Sequence, residues 1–405
     1  MPSHEAAFSV TRAPLGFASA VSHFVAFRRL AVITAAALAT AACSGPVADP
    51  AAGPAFAEAI EAANAAALTA LVKERAAAYE TGVSFAISTP AMTTTVFAGD
   101  GIDENALFQA ASMSKSVAAA AIVMLAREKG IGLDDDIRPL APSVNFADME
   151  GGDRPLTLRE LLSHTGGATV SGFPGYARGG DLPSSAEIVN GRPHMLLPRI
   201  DLSGEKGRFA YAGGGYQIAQ LWAEDVSGEP FAAIAQRLIL GPLGMTRSTF
   251  AQPIDDADIA PLPVAAADSP IMPMEGVFWP MEGSWRDYPE LAAAGLWTTA
   301  PDYLRFVAAL LSAAGGEPGP VIDAETARFM LTVVDEDYGL GVMVRTDADG
   351  TVTAIGHTGG NTGYRSLWRG YPGANAAAVI IANNRAANAL LQELGAGADA
   401  AFGGD

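Results

Sequence analysis

The sequence predicts an α/β (α+β) domain in which one sheet is built from both ends of the chain, with a mostly helical region inserted between the halves. Three observations point there. Short β-branched and aromatic runs stand early, at Val83-Ser-Phe-Ala-Ile87 and Thr93-Thr-Thr-Val-Phe97, joined by a turn around Pro90. Similar runs return only late, at Tyr338 to Val344, Thr351 to Ile355, Tyr364 to Trp368 and Ala376 to Ile381. Between about residues 130 and 325 the apolar spacing is helical, over Leu156 to Leu162, Gly215 to Val226, Phe231 to Leu240 and Pro301 to Leu311. Strands at both ends with helices between them imply one sheet shared by the two termini. Clefts form where such halves meet.

Taken in order, the chain opens with an export pattern. Arg28 and Arg29 precede about a dozen apolar or small residues that end at Ala42 and Cys43, the layout of a residue 1–43 export signal. That run is too short to span a bilayer as a helix. A cysteine directly after Ala42 resembles the acylation site of bacterial lipoproteins, with Thr40 standing where that motif usually has an aliphatic residue. The resemblance implies a periplasmic protein tethered to a membrane by lipid on Cys43. Residues 44–80 read as an Ala, Pro and Gly linker followed by an Ala-rich helix to about Glu80. The remaining domain covers residues 81–400.

Composition narrows the chemistry. The 405 residues are half apolar and carry a net charge of −19, which argues against a nucleic acid partner because an acidic surface repels phosphates. With five His, no His-Glu-x-x-His helix and one Cys, neither a zinc centre nor a thiol nucleophile is supported, and no cofactor is expected.

The most informative stretch is Phe108-Gln-Ala-Ala-Ser112-Met-Ser-Lys115. Positions i and i+3 share a helix face, so Lys115 can reach the Ser112 oxygen and take its proton. Val117, Ala121, Ile122, Met124 and Leu125 follow at helical spacing and would bury the segment. Free N–H groups in a first helical turn favour negative charge developing on the serine. The alternative is a capped core helix whose lysine reaches solvent. A second Ser-x-x-Lys, Ser203-Gly-Glu-Lys206, has its lysine between Gly204 and Gly207 and no apolar run behind it. An unperturbed lysine titrates near 10.4, so a neutral amine at pH 7 costs about 4.6 kcal/mol unless burial or nearby positive charge assists.

Two further segments carry candidates. Phe209-Ala-Tyr211-Ala-Gly213-Gly-Gly-Tyr216 places a phenol beside three glycines that let backbone pass close to a ligand. Tyr216 begins a helical run and reads as core. His-Thr-Gly-Gly occurs twice, at 164–167 and 357–360. The first copy ends a helical run, with Gly166 as its stop. The second follows a strand-like run, so Gly359 and Gly360 would expose backbone N–H at a sheet edge. Residues Gln252 to Pro289 form a long Pro-rich stretch with Met272, Met274, Phe278, Trp279, Met281 and Trp285, expected as a loop over the cleft.

Together, Ser112-x-x-Lys115, Tyr211-x-Gly213 and His357-Thr-Gly359 resemble the serine β-lactamase and penicillin-recognising superfamily, most closely its class C-like branch of esterases, DD-peptidases and related serine hydrolases. Leu161-Leu-Ser-His-Thr-Gly-Gly167 and Ala294-Gly-Leu-Trp-Thr-Thr-Ala-Pro-Asp-Tyr-Leu-Arg-Phe306 add to the likeness, which spans about residues 80 to 400. The resemblance implies a β-lactamase/transpeptidase-like fold, with an antiparallel sheet flanked by helices. It further implies that Ser112 is acylated, that Lys115 and Tyr211 share the proton work, and that the N–H groups of Ser112 and Gly360 hold the oxyanion. His357, where relatives carry Lys or His, would orient Tyr211 or the substrate. Gly213 stands where the family often has Asn, which weakens recognition of acylamino side chains and leaves simple esters less affected. Arg365 would pair with a substrate carboxylate, or else is a solvated edge charge.

The expected activity is hydrolysis of a small ester, amide or peptide through an acyl-enzyme, of esterase or peptidase type. A class C-type β-lactamase or DD-carboxypeptidase is the nearest alternative. A non-catalytic lipoprotein that binds cell-wall fragments is the alternative from another class.

Overall fold

The computed structural model describes residues 46–191, 199–254, 285–317, 319 and 321–403. Ten strands occur in them: β1 (Val83–Ser88), β2 (Thr93–Ala98), β3 (Phe108–Gln109), β4 (Tyr176–Ala177), β5 (Arg286–Asp287), β6 (Trp297–Thr298), β7 (Met343–Thr346), β8 (Val352–Asn361), β9 (Tyr364–Tyr371) and β10 (Ala376–Ala382). Six of them form one antiparallel sheet in the order β2-β1-β10-β9-β8-β7. The first strand thus lies beside the last, with Val83 opposite Ala382, and the two ends of the domain meet in one sheet.

Both faces of this sheet are covered, and the strand sequences show why. All seven residues of β10 are buried, and they are apolar without alternation. Successive side chains point to opposite faces. Ile380 joins Phe85, Ile87, Phe56, Leu68, Leu390 and Leu394 on one side. Val379 and Ile381 join Ala86, Phe306, Val307 and Trp368 on the other. The first layer is made by the helices Ala52–Glu61, Ala65–Ala78 and Asn388–Phe402. The second is made by Ser114–Glu128, Gly213–Ser227 and Ala300–Ala314. Each large side chain buried in these layers contributes about 1.5–3 kcal/mol relative to exposure.

Local chemistry sets several boundaries. The Leu158–Leu162 helix starts at a capping box between Thr157 and Glu160. Ala300–Ala314 starts at Thr299, whose hydroxyl accepts from the Asp302 N–H, with Pro301 in the first turn.

The structure departs from the sequence expectations in four places. The Ala-rich segment is two helices, because Ala63 turns left-handed (φ 49°) and Asn64 caps a new helix by accepting from the Ala67 N–H. The run expected as a helix from Phe231 to Leu240 is α-helical only to Ala235 and continues as a π-helical turn. Tyr338 lies outside β7 and makes only isolated bridges to Asp335 and Met343. The small ladders β3–β6 and β4–β5 add strands within the otherwise helical region. Residues 255–284 of the expected cleft-covering loop, and Cys43, lie outside the described residues. No helix among the described residues is long and apolar enough to cross a membrane.

Candidate active site

Ser112 sits in a 3-10 turn, Ala111–Met113, directly before the Ser114–Glu128 helix, whose first turn has no side-chain cap. Ala111 is left-handed (φ 51°), a conformation that costs a non-glycine residue on the order of 1–2 kcal/mol. The surroundings hold it there. Ala110 donates its N–H to the Leu296 carbonyl at 2.9 Å and accepts from the Ser366 hydroxyl at 2.7 Å. Tyr303 donates to the Met113 carbonyl at 2.8 Å, and the Ser114 hydroxyl accepts from the Leu296 N–H at 2.9 Å.

One helical turn on, Lys115 is 2 % exposed. Its Nζ lies 3.3 Å from Ser112 Oγ and donates to the Ala293 carbonyl at 2.7 Å. The same atom stands 5.0 Å from the Tyr211 ring centroid and 5.5 Å from that of Tyr216. Lys115 makes no ion pair among the described residues. Its neighbours are one hydroxyl, one carbonyl and two aromatic rings. A carboxylate partner would tie the amine up; here it faces the serine.

The third wall is β8. Here His357, Thr358, Gly359 and Gly360 lie inside the strand rather than after it. Thr362 and Gly363 form a two-residue turn with Asn361 opposite Tyr364. Residues flanking such a turn exchange hydrogen bonds, and pairs then alternate, so Thr358 and Gly360 point their N–H and C=O away from β9. Strand β7 reaches only to Met343, opposite Gly356. The backbone from His357 to Asn361 is therefore a free edge on that side. Gly359 is needed for a different reason: an added Cβ would collide with the Ala110 carbonyl and the Ser366 hydroxyl. Its bare backbone lets the Ser112 turn pack on the sheet.

These walls enclose a cavity of about 330 Å³ lined by Ser112, Phe209, Tyr211, Tyr338, Met343 and residues 357–360. Among the described residues no charged side chain lines it. The structure thus brings Ser112, Lys115, Tyr211, His357, Gly359 and Gly360 to one place. Gly213 and Arg365 are not among the lining residues. Gly213 opens the Gly213–Ser227 helix, buried against Phe173, and donates to the Ser171 carbonyl at 3.2 Å. The three glycines pass close to Phe173, Thr169 and Leu161 rather than to a ligand space. Arg365 Nη1 donates to the carbonyls of Asn361 and Tyr364 at 2.8 and 2.6 Å.

His357 meets a partner that the sequence did not suggest. Its Nδ1 faces the Thr358 carbonyl at 2.6 Å, so that nitrogen carries the proton, and Nε2 accepts from the Tyr338 hydroxyl at 2.9 Å. The expected contact with Tyr211 is a ring separation of 6.2 Å. Burial, and secondarily the Lys115 charge, push the His357 imidazole down to about 3, so it is neutral at ordinary pH.

His164, from the other His-Thr-Gly-Gly copy, is also here. It is the left-handed stop of its helix (φ 62°), a place expected for Gly166. Its imidazole packs against Tyr211 at 4.4 Å, Tyr338 at 4.9 Å, Tyr216 at 5.3 Å and Phe209 at 5.8 Å. Burial first, then the Lys115 charge, holds it well below the usual imidazole range. In the sequence this copy reads as the end of a helical run, with Gly166 as its stop, and gives His164 no role in the site. The repeated tetrapeptide was the signal that both copies converge.

A family model described as Beta-lactamase matches residues 67–400. Protein Rv1367c of Mycobacterium tuberculosis is 26% identical over 323 residues, covering 69% of this chain and 77% of its own. Esterase EstB of Burkholderia gladioli is 28% identical over 259 residues, covering 56% of this chain and 62% of its own. The solved structure of the D-amino acid amidase from Ochrobactrum anthropi SV3 has the same fold, with a TM-score of 0.61 at 19% identity over 84% of this chain and 98% of that one. The antiparallel sheet shared by both ends of the domain, the turn that carries Ser112 and a family match over most of the length agree, and the chain belongs to the beta-lactamase family of serine hydrolases.

Proposed function

We propose that this protein hydrolyses neutral carboxylic esters through an acyl-enzyme on Ser112. The observation that carries the reading is the 3.3 Å approach of Lys115 Nζ to Ser112 Oγ, with no carboxylate pairing the amine among the described residues. Ser112 Oγ attacks the ester carbonyl carbon while its proton passes to the unprotonated amine form of Lys115, the form this step requires. The N–H groups of Ser112 and Gly360 receive the oxyanion. Collapse of that intermediate expels the alcohol, which takes up a proton delivered through Lys115 and Tyr211. Water then attacks the acyl carbon by the same route in reverse, releasing the acid and restoring the serine.

The neutral, apolar acyl group follows from the lining. Phe209, Tyr211, Tyr338 and Met343 supply aromatic and thioether surface, and His357 is neutral with both ring nitrogens bonded. A carboxylate placed there would be desolvated without a cation among the described lining residues. The name of the similar Esterase EstB supports the same class of substrate.

A panel of p-nitrophenyl butyrate, nitrocefin and a D-Ala-D-Ala peptide tests the reading. The ester is expected to turn over fastest, and Ser112→Ala to abolish it. Faster hydrolysis of nitrocefin or of the peptide would move the assignment to a β-lactamase or a carboxypeptidase. The Arg28 to Cys43 pattern further supports export to the periplasm with a lipid tether at Cys43; alkyne-palmitate labelling in cells should vanish in Cys43→Ser.

A further inference from the structure

We propose that His164 is the positioning residue for Tyr211, clamping the backbone on both sides of that tyrosine and supporting its ring over the Lys115–Ser112 pair. The proposal rests on the reading of Ser112 and Tyr211 given above. Three contacts converge on one residue. The Ala210 N–H donates to the His164 carbonyl at 2.9 Å. His164 Nδ1 lies 3.2 Å from the Ala212 nitrogen and 3.1 Å from the Ala212 oxygen, so in either tautomer that atom is committed to Ala212. Between those two anchors the imidazole packs on the Tyr211 ring, with planes tilted by 43°.

Tyr211 has little else to fix it. It is 36% exposed, and its hydroxyl makes no hydrogen bond to the described residues. It follows Ala210 and precedes a helix that begins with three glycines, so its own backbone is a weak support. His164 also sits where a helix stop needs a left-handed residue, a role that Gly or Asn fills with less strain. An imidazole there must do something that glycine cannot. The one group of His164 left over is Nε2, which is buried without a hydrogen-bond partner among the described residues. Replacing it forfeits no hydrogen bond.

The mechanism follows from geometry. Tyr211 works in the proton relay only if its phenol stays near Lys115, whose Nζ is now 5.0 Å from the ring centroid. A tyrosine released at Ala210 or Ala212 would swing toward solvent. Positioning errors of about 1 Å in such groups cost on the order of 100-fold in turnover.

The test is a set of full-length variants assayed with p-nitrophenyl butyrate, with melting temperature and near-ultraviolet dichroism as fold controls. His164→Phe keeps a ring and removes the Nδ1 bond; it should lower kcat about 30-fold or more with KM changed less than about 3-fold. His164→Asn tolerates the left-handed backbone and returns an acceptor near the Nδ1 position; it should recover kcat to within about 5-fold of wild type. The double variant of His164→Phe with Tyr211→Phe should be no slower than Tyr211→Phe alone, because residues acting as a unit are non-additive. The same cycle is run with His164→Ala, so that a variant which fails to fold leaves the other to decide. A folded His164→Phe or His164→Ala with wild-type kcat overturns the proposal, as does a double variant that loses the product of the two single effects. If instead Ser112→Ala retains activity, the reading of the site has failed and not the clamp alone.

Discussion

Tyr338 donates its phenolic hydrogen to Nε2 of His357 at 2.9 Å, and the opposite ring nitrogen of His357 is held by the Thr358 carbonyl. Both nitrogens of this histidine are thus spent inside the protein. The first of these bonds ties the free edge of β8 beside Ser112 to Tyr338. Removing the donor with Tyr338→Phe leaves a buried ring nitrogen unpaired, so we expect a loss of about 1–2 kcal/mol in stability by urea titration. KM for a neutral ester should move little.

The same histidine predicts a pH dependence. The His357 imidazole titrates near 3 folded and near 6.5 unfolded, so the unfolded chain binds the proton first as pH falls. Stability from this group is present above about 6.5 and is lost progressively toward 3, at up to about 1.4 kcal/mol per unit. Urea midpoints measured from pH 7 to pH 4.5 should fall for wild type and fall less steeply for His357→Gln. His164 is shifted in the same direction, so the variant should retain part of the slope.

Glu290 has the opposite sign. It is fully buried at the start of the Leu291–Ala294 helix, which carries the Ala293 carbonyl to Lys115. Burial pushes its carboxyl up to about 8 from 4.5, opposed only in part by its own backbone and by Tyr176. The unfolded chain therefore gives up this proton first as pH rises, and stability drops between about 4.5 and 8. At pH 7 the effect is on the order of 3 kcal/mol. Glu290→Gln should raise the urea midpoint at pH 7.5, with the gain shrinking toward pH 4.5. A gain that stays constant with pH would show that the carboxyl is not neutral when folded.

Gly359 and Gly360 should separate cleanly. A methyl at Gly359 collides with the Ala110 carbonyl and the Ser366 hydroxyl, whereas one at Gly360 meets nothing closer than Arg365 Nη1 at 3.5 Å. Gly359→Ala should lose about 2 kcal/mol or more and most of its activity, because the Ser112 turn is displaced. Gly360→Ala should melt within a few degrees of wild type. Thermal scans of the two proteins side by side check the contrast.

Much of the fold was legible because its strands carry β-branched and aromatic runs that helices of this chain lack. The Ser112 helix announced itself through its apolar stripe. Other features were hidden for physical reasons. Gly359 and Gly360 read as lying just past the strand-like run that ends at Ile355, yet β8 continues through them, and close packing of Gly359 against Ala110 needs bare backbone. Gly213 and Gly214 read as loop ahead of a helix from Gly215, since glycine is a poor helix former, yet the helix begins at Gly213, pressed against neighbouring chain. The break at Ala63 left no mark except Asn64. Tyr338 and His164 belong to the site only through contacts distant in sequence, which spacing along the chain does not encode.

Trapping the covalent intermediate tests the central claim most directly. Enzyme mixed with p-nitrophenyl butyrate, quenched in acid within milliseconds and digested, should yield one butyrylated peptide. The account predicts the added mass on the peptide containing Ser112, its absence in Ser112→Ala, and a sharply slower rise in Lys115→Met. Acylation of another residue, or unchanged turnover in Ser112→Ala, would contradict it.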